Sequence, residues 1–286
     1  MLKRFILLIA FAALFSSKTN ASHLMGGEIT WDCVGGGQYV FTMKLYRDCN
    51  GIATSSIVSL SVWNHPTVFS IPLNLISQTD ISPSCNSGGP GISCAGAQAQ
   101  PGWPLSASPV AGAVQETVFQ SAPLTLPGVP SGLGWIFTYD DCCRNGSISN
   151  LQTAGAYGFT LRAAMYSYNG QNANPCFDSS PKFLENPSSV ICVGYPFTYN
   201  HNAFDPELDS LSYSWADPLD DFNPVYNPPL DPISIPFAPG YSAVSPLPGV
   251  IQNPANVPAT INAATGEISF TSFTQGNFVT VVKVEA

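Results

Sequence analysis

Eight cysteines, at positions 33, 49, 85, 94, 142, 143, 176 and 192, are the side chains of this 286-residue chain best placed to do chemistry. Cys142 and Cys143 are adjacent, within Tyr139-Asp140-Asp141-Cys142-Cys143-Arg144-Asn145-Gly146. Neighbouring Cα atoms lie about 3.8 Å apart, closer than the roughly 4.4–6.8 Å a disulfide prefers, and in a strand their side chains point to opposite faces. Each sulfur is therefore expected to be a buried staple with a distant partner. Eight cysteines allow about 105 pairings. The pairing expected joins Cys33 and Cys49 to the vicinal pair, closes Cys85 to Cys94 locally, and joins Cys176 to Cys192. The competing chemistry is zinc ligation, but no Cys-x-x-Cys spacing occurs and the histidines number 3.

The second constellation is acidic. In the run from Asn200 to Trp215, an extended backbone puts Asp205, Glu207 and Asp209 on one side. Three like charges so close require either solvent or a bridging cation, and Ca²⁺ is the hard, oxygen-seeking ion found outside cells. The segment thus reads either as a calcium site, with Asn200 or Asn202 as further ligands, or as a solvated acidic turn before a strand. No other cofactor is implied.

Asp140 with Asp141, and Asp217 with Asp220 and Asp221, offer carboxylates for acid/base work. Paired catalytic acids must face each other across a cleft. Adjacency in sequence does not supply that, and turn formation is the simpler reading. There is no Gly-x-Ser-x-Gly elbow, His-Glu-x-x-His or phosphate-binding glycine loop. His23, His65 and His201 read as turn or solvent-facing residues, and no catalytic residue is expected. Of the 5 tryptophans most are expected in the core, and Trp103 in Gln-Pro-Gly-Trp-Pro is the best candidate for stacking on a sugar.

These groups are positioned by strands. Tyr39, Phe41, Met43 and Leu45 fall on one face and Gln38, Thr42 and Lys44 on the other after the turn Gly35-Gly36-Gly37, and residues 28–33 supply the partner of an opening hairpin. Tyr157, Phe159, Leu161, Ala163 and Met165 repeat the alternation. Further strands are expected over 57–63, 115–124, 134–139, 190–199, 211–215, 267–271 and 278–285. No window holds a helical apolar period beyond two turns. With 26 prolines and 24 glycines, and long Pro/Gly/Ser-rich loops over 82–112 and 217–258, the chain is expected to be all-β: two β-sandwich-like domains stapled by disulfides.

Lys3 and Arg4 precede an apolar run from Phe5 to Phe15 and small residues ending at Ala21, the pattern of a cleavable secretory signal over residues 1–21. The run is too short to span a bilayer, and no later segment has the roughly 18 apolar residues needed. An oxidising, extracellular compartment follows, which agrees with the even cysteine count. Charged residues make up only 9% of the chain, with a net charge of −9. The few basic residues are scattered singly, which excludes a nucleic-acid face. A boundary near Asn186-Pro187 divides a Cys-rich β domain at 22–187 from a module at 188–286. The chain ends at Ala286 in a strand-like run, as a module cut short would.

Ser22-His23-Leu24-Met25-Gly26-Gly27-Glu28-Ile29-Thr30, the stretch from Tyr39 to Cys49, and Asp141-Cys142-Cys143-Arg144-Asn145-Gly146-Ser147-Ile148 together resemble the amino-terminal region of large Bacteroidetes surface proteins, the gliding-motility-associated, type IX-secreted multidomain proteins. Asp205-Pro206-Glu207-Leu208-Asp209-Ser210-Leu211, followed by Ile261 to Ile268 and Gly276 to Val279, is similar to cadherin-like, immunoglobulin-type modules. The resemblance implies a secreted cell-surface structural or adhesive protein without catalysis, whose partners are neighbouring β domains and an extracellular glycan or protein. A carbohydrate-binding module using exposed aromatics is the alternative, and a secreted hydrolase the third reading.

Overall fold

The structure is a computed structural model, and it describes residues 24–49, 51, 54–82, 94, 113–142, 144–167, 178–187, 190–222 and 233–286. Among the described residues, apart from one 3-10 turn at Ala154–Ala156, the regular elements are strands. The all-β expectation holds.

The first seven strands are β1 (Leu24–Cys33), β2 (Tyr39–Asp48), β3 (Ile57–Trp63), β4 (Ser70–Asp80), β5 (Val114–Gln120), β6 (Trp135–Asp141) and β7 (Phe159–Met165). They form one antiparallel sheet in the order β1-β2-β5-β4-β3-β6-β7. The opening hairpin pairs Glu28 with Lys44 and Trp31 with Phe41. Its turn carries Gly35, Gly36 and Gly37 at φ of 87°, 62° and 72°, a left-handed backbone that glycine adopts without a Cβ clash.

The sheet folds over on itself. Phe41 on β2 and Phe137 on β6 are far apart in the strand order, yet their rings approach to 4.6 Å, with Trp31 packed at 5.8 Å from Phe137. Tyr39, Phe41, Met43 and Leu45 are all buried, as their alternation requires, and Phe159, Leu161 and Met165 bury the corresponding face of β7. At the seam β1 crosses β7. A Cβ on Gly27 would stand 2.4 Å from the carbonyl oxygen of Lys44 and 2.8 Å from Leu161 Cδ1, so the Gly26-Gly27 pair is what lets the two edges meet.

Strand β4 is absent from the sequence expectation because Pro72 interrupts its pattern. It is tolerated because the pairing of β4 with β5 begins only at Asn74, so no neighbour on that side requires the missing N–H.

Beyond the sheet come β8 (Lys182–Phe183), β9 (Pro196–Asn200), β10 (Ala203–Phe204), β11 (Ser212–Trp215), β12 (Val257–Ile261), β13 (Glu267–Thr271) and β14 (Val282–Glu285). They pair as β12-β13-β9, β11-β14 and β10-β8. Leu247, Ile268 and Phe270 form their core, packed by Phe197, Tyr199, Trp215 and Phe278. Strand β12 falls at the end of the stretch expected to be loop, where its prolines mask a short edge strand. A cut between 187 and 188 would sever the β8–β10 pairing, so the chain crosses that boundary with backbone hydrogen bonds.

Candidate functional site

The segment from Arg144 to Gly158 joins the large sheet to the carboxy-terminal strands. Arg144 is buried, and its backbone N–H donates to the Tyr157 carbonyl. Its Nε donates to the Gly158 carbonyl at 3.0 Å and Nη2 to that of Leu219 at 3.0 Å. The guanidinium lies 5.4 Å from the Phe159 ring centroid. Burial pushes its pKa down to about 10, and the charge of Asp220 opposes that fall. Asp220 Oδ1 accepts from the Gly158 N–H at 2.7 Å, and the Thr160 hydroxyl donates to the Asp220 carbonyl.

Further along, Asn150 is fully buried and acts as a three-way tie. Its Nδ2 donates to the carbonyls of Pro246 and Val279, both at 2.7 Å, and its Oδ1 accepts from the Val279 N–H at 3.0 Å. Backbone bonds from Ser149 to Asn277, from Gln152 to Pro236 and from Ala238 to Asn150 extend the seam. Leu151, Ala154 and Ile235, flanked by Ile148 and Phe237, form its apolar filling. The Arg-Asn-Gly-Ser-Ile-Ser-Asn run is thus a docking element, with the side chains of Arg144 and Asn150 directed to backbone groups.

A second seam lies along β1. Ser180 exchanges hydrogen bonds with the backbone of Trp31, and Ser179 Oγ accepts from the Cys33 N–H at 3.0 Å. Phe183 N–H donates to Glu28, which pairs with Lys44 at 3.0 Å, and Lys182 pairs with Asp32. The edge of the sheet is therefore covered, which protects it from pairing with another chain.

The acidic turn ends on this seam. Glu207 accepts from the Ser179 N–H at 3.2 Å and from its hydroxyl at 3.0 Å. Asp205 Oδ1 accepts from the N–H groups of Glu207 and Asp209, closing a turn in which Leu208 has φ of 67°. Among the described residues no group of three or more His, Cys, Asp or Glu side chains is arranged to hold a metal ion, the run of Asp205, Glu207 and Asp209 included. Asp205 Oδ1 is directed at the turn and Glu207 at Ser179, whereas Asp205 Oδ2 is buried without a partner.

Asp178, which the sequence pattern did not flag, completes the acidic group from the other side of the seam. Its pKa is pushed up to about 6 by burial first, then by Glu207, Asp205 and Asp209. A carboxyl whose folded pKa exceeds its unfolded value favours the fold while protonated. Its contribution is full below about pH 4, is lost as the pH rises to about 6, and is level above that. Asp178→Asn is therefore expected to raise the melting temperature at pH 7.5 and to flatten its decline between pH 4 and 6. Identical melting profiles for both proteins over that range would refute the coupling.

The cysteines depart from expectation. Cys49 is bonded to Cys94, not to the vicinal pair, and this also removes the Cys85 to Cys94 loop. Cys94 is held there by its N–H donating to Asp80 at 2.8 Å. Cys192 is an exposed free thiol, so the bond to Cys176 is not made. Cys33 and Cys142 are disulfide-bonded as expected, but Cys142 is exposed and follows the last residue of β6 instead of lying buried within it. Cys85, Cys143, Cys176, Trp103 and the leader at 1–21 lie outside the described residues.

Asp140 and Asp141 are the end of β6, not a turn. Burial, followed by the charge of Asp221, raises the Asp140 pKa. His65 is buried rather than solvent-facing, and its Nδ1 accepts from the N–H groups of Thr67 and Val68. His201 is held at a pKa of about 4 by burial, against Tyr199 and Phe183. Among the described residues no helix is long and apolar enough to cross a membrane. No family model matches this chain, and no curated protein or solved structure matches it.

Proposed function

We propose that this chain is an extracellular structural or adhesive element of a cell surface, without catalysis of its own, that works by holding two β units in one fixed arrangement. The observation that carries the reading is the Arg144–Gly158 segment. Its arginine and asparagine, the side chains most suited to recognising a ligand, are buried and hydrogen-bonded to backbone groups across the seam. The covered β1 edge and the 9% charged composition agree with a rigid exported scaffold. Its partners are neighbouring β domains of the same surface and an extracellular glycan or protein.

Deleting the chain in its source organism is the direct test, with attachment and surface spreading scored and the protein sought at the cell surface. Loss of attachment, restored by the wild-type chain, is expected. Unchanged attachment and spreading, or retention of the protein inside the cell, would reject the proposal.

A further inference from the structure

The inner face of the sheet is apolar except at one end, where Arg47, Gln115, Thr117 and Gln78 are all buried. The strand register makes them neighbours: Arg47 pairs with Gln115, Thr117 with Gln78, and Gln115 and Thr117 alternate onto the same face of β5. Arg47 Nε donates to Gln115 Oε1, and Nη1 donates to the carbonyls of Asp48 and Gly51, so every acceptor it uses is a neutral oxygen. Gln115 Nε2, Thr117 Oγ1 and Gln78 Oε1 are buried without any partner.

A buried guanidinium keeps its proton, so its charge must be matched or remain costly. Asp48, whose charge acts on Arg47, alternates to the opposite face of the strand. Asp80 directs its two oxygens to Ser82 and to the Cys94 N–H, and no Asp or Glu occurs in the sequence between Asp80 and Glu116. Asp80 stands opposite Gln115 in the register but is turned to Ser82 and Cys94, so no carboxylate accepts a hydrogen bond from the guanidinium. What remains is a positive charge with two unpartnered donors beside it. Turning the Gln78 amide over, a change that keeps its shape, would add a third.

We propose that Arg47, Gln115 and Thr117 form an internal site for a small monovalent anion of the halide type. The anion neutralises the guanidinium and accepts from Gln115 Nε2 and the Thr117 hydroxyl, so it stabilises the folded chain by occupancy. Water could satisfy the two donors but not the charge, and this difference makes the site testable.

The full chain is crystallised with sodium bromide, and the anomalous signal of bromine is mapped. A bromide peak in contact with Gln115 Nε2 and Thr117 Oγ1 is expected; a bromine-free site holding only water would overturn the proposal. In solution, melting is followed while chloride replaces gluconate at constant ionic strength. The wild type is expected to gain stability with chloride. Thr117→Val keeps the shape of the buried side chain and removes the orphan hydroxyl, so the variant should fold. It should need about tenfold more chloride for the same gain, the worth of one hydrogen bond to a charged group. An equal chloride response in wild type and variant would mean general ion screening, and would likewise reject the site.

Discussion

Replacing both Cys49 and Cys94 by alanine is expected to lower the stability of the oxidised protein by about 4 kcal/mol, the chain-entropy cost of opening a loop of 45 residues. Both residues are buried beside Ala113, and the Cys49 N–H donates to the Ala113 carbonyl. The bond therefore fixes the point where β2 ends against the start of β5 and gathers the segment after β4 to the same place. The check is denaturant unfolding of the double variant alongside wild type under oxidising conditions. A loss well under about 1 kcal/mol would mean that the loop is constrained by something other than this bond. Local closure between Cys85 and Cys94 would make Cys49 dispensable, so Cys49→Ala alone separates the two pairings.

Asn150→Ala is expected to cost about 3 to 4 kcal/mol, the largest effect of any single polar substitution considered for this chain. Three hydrogen bonds are lost, and the Val279 N–H and the carbonyls of Pro246 and Val279 are left facing a small cavity. Stability is only part of the expected result. Because the three partners lie on carboxy-terminal segments, hydrogen exchange at Val279 and proteolysis of the region after residue 233 should accelerate more than exchange in β2 or β6. Ser147→Ala is the control: Ser147 is exposed, its bond from Asn277 Nδ2 across the seam is open to solvent, and its loss should change stability by no more than about 0.5 kcal/mol. Uniform acceleration across the whole chain would show that the seam and the sheet unfold together. A change no larger than that of the control would remove the docking role from Asn150.

How much of this was legible in advance differs by element. The hairpin of β1 and β2 follows from Gly35-Gly36-Gly37 and the alternation from Tyr39 to Leu45, because a triple-glycine turn and a period of two are local signals. Strand β3 at 57–63 and β13 at 267–271 were readable for the same reason. Strand β4 was hidden by Pro72, whose acceptability depends on where a neighbouring strand begins. The Asp205-Glu207-Asp209 run was legible as an acidic turn, but its direction was not. Period two predicted three carboxylates side by side, whereas the backbone turns at Leu208 and Asp205 caps it.

By itself the sequence determined the strand-dominated class, the hairpin and which faces of β2 and β7 are apolar. These rest on interactions between residues a few positions apart, whose geometry the peptide chain dictates. Only the tertiary structure decided that Cys49 meets Cys94, that Ser179 links the acidic turn to β1, that Asn150 is a buried tie, and that Gly27 is the contact point of two sheet edges. Each depends on partners brought together by closure of the sheet. Side-chain type states only what a residue is able to bond, and the partner is set by which chain segment the folded sheet leaves within about 3 Å.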